Sequence, residues 1–144
     1  MWGQEPTLTL NEFSIFFTEF YSLYPNIENL FFSTNGTNIL PIINLIKSLD
    51  KIINKKFNLN IQISYDGVKN TKIQRGIEPT IIINNIKNLI INLNSITLQN
   101  LKINIFFHNV IDYTLIDYYT KEQVSEQEFL IYLSEFEDLT DSFK

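Results

Sequence analysis

Apolar and polar residues alternate along this chain in two rhythms, one of helical period and one of short unbroken runs. Phe13, Phe16, Phe17, Phe20 and Tyr24 share one side of a helix that opens at Thr9-x-x-Glu12, the form of a capping box, and runs to about Tyr24. That stripe is expected to face the core. Pro25-Asn26 ends the helix, because proline cannot continue its hydrogen-bond ladder. Asn29 to Thr34 reads as a strand, Asn35-Gly36 as a turn, and Leu40 to about Asn54 as a second helix with Pro41 in its first turn. Ile43, Ile46, Leu49 and Ile53 hold the helical period there. Leu59 to Ser64 is the next strand, and Tyr65 to Glu78 reads as the longest loop. A third helix starts at Pro79, with Ile82, Ile86, Leu89, Ile90 and Leu93 on one side, and Leu101 to Phe107 is a further strand. Ser125-x-x-Glu128 caps a last helix to about Leu139, its apolar face Phe129, Tyr132, Leu133 and Phe136.

Strict alternation of strands and helices predicts right-handed crossovers and a parallel sheet with helices outside. Met1 and Trp2 read as the end of one more strand, whose remainder and neighbour are expected before Met1. The expected fold is therefore α/β, a partial (β/α) barrel in which residues 1–144 form a single domain. A parallel strand without a neighbour exposes a row of backbone groups, so association through an open sheet edge is expected.

Composition narrows the function. A chain of 144 residues supports one core. The net charge of −5 argues against non-specific nucleic-acid binding, and Lys47, Lys51, Lys55 and Lys56 on one helix read as a solvated face. No apolar run is long enough to span a membrane and no cationic stretch followed by an apolar one opens the sequence, so a cytoplasmic location is expected. Asn35-Gly36-Thr37 has the form of a glycosylation sequon but reads as a turn. Heavy use of Asn and Ile reads as the bias of an AT-rich genome. The chain has no cysteine, which excludes disulfides and any thiolate-held metal within it.

In a parallel α/β protein the turns that follow strands gather on one rim, where ligands bind. Gly3, Gly36, Gly67 and Gly76 all lie in such turns. Three of these segments, in this order, resemble the core barrel of the radical SAM enzymes. Trp2-Gly3-Gln4-Glu5-Pro6-Thr7-Leu8 resembles the family's Gly-Gly-Glu-Pro turn, and Ser33-Thr34-Asn35-Gly36 its Ser-Thr-Asn-Gly strand end. Ile63-Ser64-Tyr65-Asp66-Gly67 with Lys72-Ile73-Gln74-Arg75-Gly76 resembles a pattern familiar in the peptide- and protein-modifying branch, which includes the anaerobic sulfatase-maturing enzymes.

The resemblance implies roles position by position. Gly3, Gln4, Glu5 and Pro6 match the turn that holds the amino group of S-adenosylmethionine, with Gln4 in place of the second glycine. Ser64 matches a contact to the cofactor's ribose or carboxylate, and Arg75 an arginine that pairs with the carboxylate. Asn35 and Asp66 face the same rim. The implied chemistry is reductive cleavage of S-adenosylmethionine at a [4Fe–4S] cluster, followed by hydrogen abstraction from a substrate, a peptide or protein in the branch that fits best. The family's Cys-x-x-x-Cys-x-x-Cys loop has no counterpart here and is expected before Met1, so the isolated chain is expected to be inactive. The alternatives are a cluster-free barrel kept as a cofactor- or peptide-binding module, and a doubly wound α/β domain with no such cofactor.

Each residue also has a structural reading. Asn35-Gly36 and Asp66-Gly67 are turn formers anywhere. Glu5 suits the first turn of a helix, and Arg75 a surface ion pair. His108, the single histidine, stands at a strand end as a hydrogen-bonded structural residue or a ligand. Tyr113, Tyr118 and Tyr119 read as surface aromatics.

Overall fold

The computed structural model describes residues 5–108 and residue 134. The expected strand end at Met1 and Trp2, the tyrosines Tyr113, Tyr118 and Tyr119, and the expected helix from Ser125 lie outside the described residues. A 3-10 turn over Pro6–Leu8 leads into α1 (Leu10–Leu23), β1 (Asn29–Thr34), α2 (Leu40–Ile52) and β2 (Phe57–Ser64). α3 (Gly67–Arg75), α4 (Pro79–Asn94) and β3 (Leu101–His108) follow.

The three strands form one parallel sheet in the order β1-β2-β3. Sequential order in a parallel sheet requires every right-handed crossover to lie on the same face. The burial agrees. Phe57, Leu59, Ile61 and Ile63 of β2 are buried together with Leu10 and Phe17 of α1, Ile42, Ile46 and Leu49 of α2, and Ile82, Ile86 and Leu89 of α4. The order has no reversal, so the switch point of a doubly wound sheet is absent among the described strands. Among the described residues no helix is long and apolar enough to cross a membrane.

The opposite face of the sheet carries Asn29, Phe31 and Ser33 from β1, Asn58, Asn60, Gln62 and Ser64 from β2, and Lys102, Asn104, Phe106 and His108 from β3. Its amides bond across strands, Asn58 Nδ2 to Asn29 Oδ1 and Asn104 Nδ2 to Asn60 Oδ1, each at 3.0 Å. The alternation is strict in β2 and fixes the register there, since a slip by one residue would turn its apolar row away from the helices.

Two expectations about the helices change. The segment 67–75 is a helix rather than part of a long loop; it lacks an apolar stripe, and it stops at Gly76, whose φ of 63° is the left-handed cap that glycine accepts. In α1 the buried residues are Leu10, Phe17 and Tyr21, while Phe16 and Tyr24 are exposed. Residues at i, i+7 and i+11 form a narrower stripe than the aromatic run suggests, and the rest of that run flanks it. The capping box does not form: Thr9 makes no side-chain cap to α1, and its Oγ1 donates instead to the Pro6 carbonyl at 3.4 Å.

Candidate functional site

Parallel strands end on a common rim, and the turns there carry the described candidate residues. Glu5 precedes the Pro6–Leu8 turn and caps it, accepting from the Thr7 N–H at 3.3 Å and the Thr7 hydroxyl at 2.8 Å. The same carboxylate reaches the end of β1. Oε1 accepts from the Thr34 hydroxyl at 2.5 Å, and Oε2 from the Asn35 N–H at 2.8 Å. Four donors on one half-buried carboxylate make Glu5 a clasp between its own turn and β1, with little capacity left for a ligand.

The β1–α2 turn is bonded throughout. The Gly36 N–H donates to Thr34 Oγ1 at 3.1 Å, and Asn35 Oδ1 accepts from the Thr37 N–H and hydroxyl at 2.9 and 2.7 Å. From α4, Asn85 Nδ2 donates to the carbonyls of Gly36 and Thr37, both at 2.9 Å. Gly36 has φ 72° with Ile63 and Ile82 packed against it, so this turn admits only glycine without strain.

At the end of β2, Asp66 is fully buried beside Tyr65. Its carboxylate pairs with Arg75 Nε, and its N–H donates to the Thr71 hydroxyl at 3.1 Å. The Arg75 side chain keeps a quarter of its surface exposed, and its Nη groups make no hydrogen bond among the described residues. A guanidinium held through Nε retains Nη donors of the kind that take up a carboxylate or phosphate oxygen. Ser64 stands in register with His108 on the polar face of the sheet, and its hydroxyl makes no hydrogen bond among the described residues.

The structure thus joins Glu5 to Asn35 and Asp66 to Arg75, and places Ser64 beside His108. No described contact links the first pair to the second. Pro6 is buried in the clasp, and Gly3 and Gln4 lie outside the described residues. Sequence reasoning passed over Thr34 and Asn85, the residues that lock the rim. Thr34 lies inside the Ser-Thr-Asn-Gly segment, but nothing distinguishes Asn85 among the many asparagines. Among the described residues no group of three His, Asp or Glu side chains could hold a metal ion.

No protein family matches the chain, and no curated protein or solved structure was found to be similar to it.

Proposed function

We propose that this chain is the S-adenosylmethionine-binding segment of a cytoplasmic radical SAM-type (β/α) barrel, one that acts on a peptide or protein. The observation that carries the reading is the Glu5 clasp. The carboxylate of a Glu-Pro turn that precedes the first helix is bonded to the Thr-Asn-Gly end of the next strand. Two of the three turns on which the resemblance rests are therefore adjacent on one rim. The singly wound sheet, helical on one face and polar on the other, supports the barrel part of the reading. In it, Arg75 is the donor for the cofactor's carboxylate and Ser64 a polar contact on the inner face. The backbone of residues 3–6 takes the amino group, while the Glu5 side chain holds that turn in place.

The [4Fe–4S] cluster of such enzymes does not fit the residues of this chain, which has no cysteine. That absence favours a second reading, a cluster-free barrel that binds S-adenosylmethionine or a peptide without cleaving the cofactor.

Titration calorimetry of the iron-free chain with S-adenosylmethionine tests both readings. Micromolar binding that Ser64→Ala weakens, and that Arg75→Ala abolishes while the circular dichroism spectrum is retained, supports a cofactor site on this rim. An absence of binding removes both readings of the site and leaves an α/β domain of another function. A chain that binds the cofactor with the same affinity in both variants has its site elsewhere.

A further inference from the structure

Asn35-Gly36 is the one Asn-Gly pair in the sequence. Such a pair carries its own chemistry. The Gly36 nitrogen can bond to Asn35 Cγ as it gives up its proton. The Cγ–Nδ2 bond then breaks, ammonia leaves with that proton, and a five-membered imide remains. Water opens either C–N bond of the imide, giving aspartate or isoaspartate at position 35. Glycine makes the closure fast in an open chain, because it has no Cβ to hinder approach and lets the backbone turn freely. The reaction needs no partner and no exposed face, only water.

Ring closure has three requirements. The Gly36 N–H must be released, Asn35 Cγ must come within near-attack distance of that nitrogen, and the Gly36 peptide must turn to admit it. The fold opposes each. The Gly36 N–H donates to Thr34 Oγ1 at 3.1 Å, and the Thr34 hydroxyl is itself fixed by donating to Glu5 Oε1 at 2.5 Å. The Asn35 side chain is anchored at Oδ1 by the Thr37 N–H and hydroxyl, and its backbone N–H is held by Glu5 Oε2. Asn85 Nδ2 holds the Gly36 carbonyl, and Ile63 and Ile82 pack against the buried Gly36. Both oxygens of Glu5 take part, so opening the clasp frees the Asn35 N–H and the support of the Gly36 N–H together.

We propose that Asn35-Gly36 is a self-modification site, shut in the folded chain by the Glu5–Thr34 clasp and released by local opening of that clasp. The proposal does not rest on the cofactor reading. Conversion is one-way. Isoaspartate adds a methylene to the main chain between residues 35 and 36, which displaces Gly36 from Thr34 and Asn85, so the turn cannot re-form as it was.

Peptide mapping by mass spectrometry tests this on the purified full chain held in mildly alkaline buffer, reading the conversion of amide to carboxyl at residue 35. Conversion in the folded chain should be slower than in the urea-unfolded chain by about tenfold or more. Glu5→Gln and Thr34→Val should each speed it in the folded state by about tenfold, while Thr34→Ser, which keeps the hydroxyl, stays close to the parent. Below the unfolding transition the parent's rate should rise only shallowly with urea, because opening one turn exposes little surface. Conversion as fast in the folded chain as in the unfolded one overturns the proposal. So do clasp variants that match the parent, or a Thr34→Ser rate equal to that of Thr34→Val. A parent rate that climbs with urea in step with global unfolding also overturns it, and that measurement decides even where a variant fails to fold.

Discussion

Glu5 and Asn35 are thirty residues apart in sequence, yet the Asn35 N–H lies 2.8 Å from Glu5 Oε2. With the Thr34 hydroxyl on the other oxygen, this contact ties the entry to α1 to the exit of β1. The β1–α2 turn is therefore positioned against that carboxylate.

Replacing Glu5 with Gln removes the charge and turns one acceptor into a donor that faces other donors. Hydrogen bonds to charged groups contribute about 1.5–3 kcal/mol, and Glu5→Gln should destabilise the fold by about 2 kcal/mol through the loss. Urea unfolding measures it directly. An unchanged midpoint would mean that the clasp contributes nothing to the fold.

Asp66 and Arg75 form the second fixed pair. Removing Arg75 leaves a buried carboxylate without its cation, which costs about 3–5 kcal/mol in comparable sites. Arg75→Ala should therefore be the more damaging single change, and Asp66→Ala on top of it should restore part of the lost stability. Chemical denaturation of the two single variants and the double variant gives the coupling; simple additivity would show that the pair is not energetically joined.

The strands were legible because their apolar runs are short, bounded by turn residues and free of helical spacing. β1 matches its expected bounds, and β2 and β3 extend beyond theirs only by Phe57, Asn58 and His108. α2 and α4 were legible because Ile and Leu recur at helical period, and all those named are buried except Leu93, which is partly so. α3 was not, since its residues make no apolar stripe and its helical character shows only in the Gly76 cap. The α1 stripe was misread because five aromatics on one helix look like a single face. They divide between the core and an outer flank, a division set by neighbouring elements rather than by spacing. The candidate rim was legible in its turns, but the role of Glu5 was not. A carboxylate before a helix suggests a ligand or a first-turn charge equally well, and its partners Thr34 and Asn35 are thirty residues away.

Gly36 and Gly76 both have positive φ, but only one is enclosed. A Cβ on Gly36 would lie 3.0 Å from Ile63 Cγ2 and 3.2 Å from Ile82 Cγ2, whereas a Cβ on Gly76 meets nothing within 4 Å. Gly76→Ala should cost about 1 kcal/mol of left-handed strain alone. Gly36→Ala should cost about 1–3 kcal/mol more, from overpacking against β2 and α4. Melting temperatures of the two variants side by side check the difference. Equal losses would mean that backbone strain alone governs both turns.

Tyr21 closes the core at the far end from the rim, its ring 6.2 Å from that of Phe57 at a near-perpendicular angle. The ring belongs there, but the hydroxyl is buried and meets no hydrogen-bond partner among the described residues. An unsatisfied buried hydroxyl costs about 1–3 kcal/mol, and Tyr21→Phe removes that oxygen while keeping the edge-to-face contacts with Phe57. The variant should therefore be more stable than the parent by about 1 kcal/mol, read as a higher urea midpoint at constant slope. A lower midpoint would show that the hydroxyl has a partner in solution, and that the oxygen holds the foot of α1 rather than straining it.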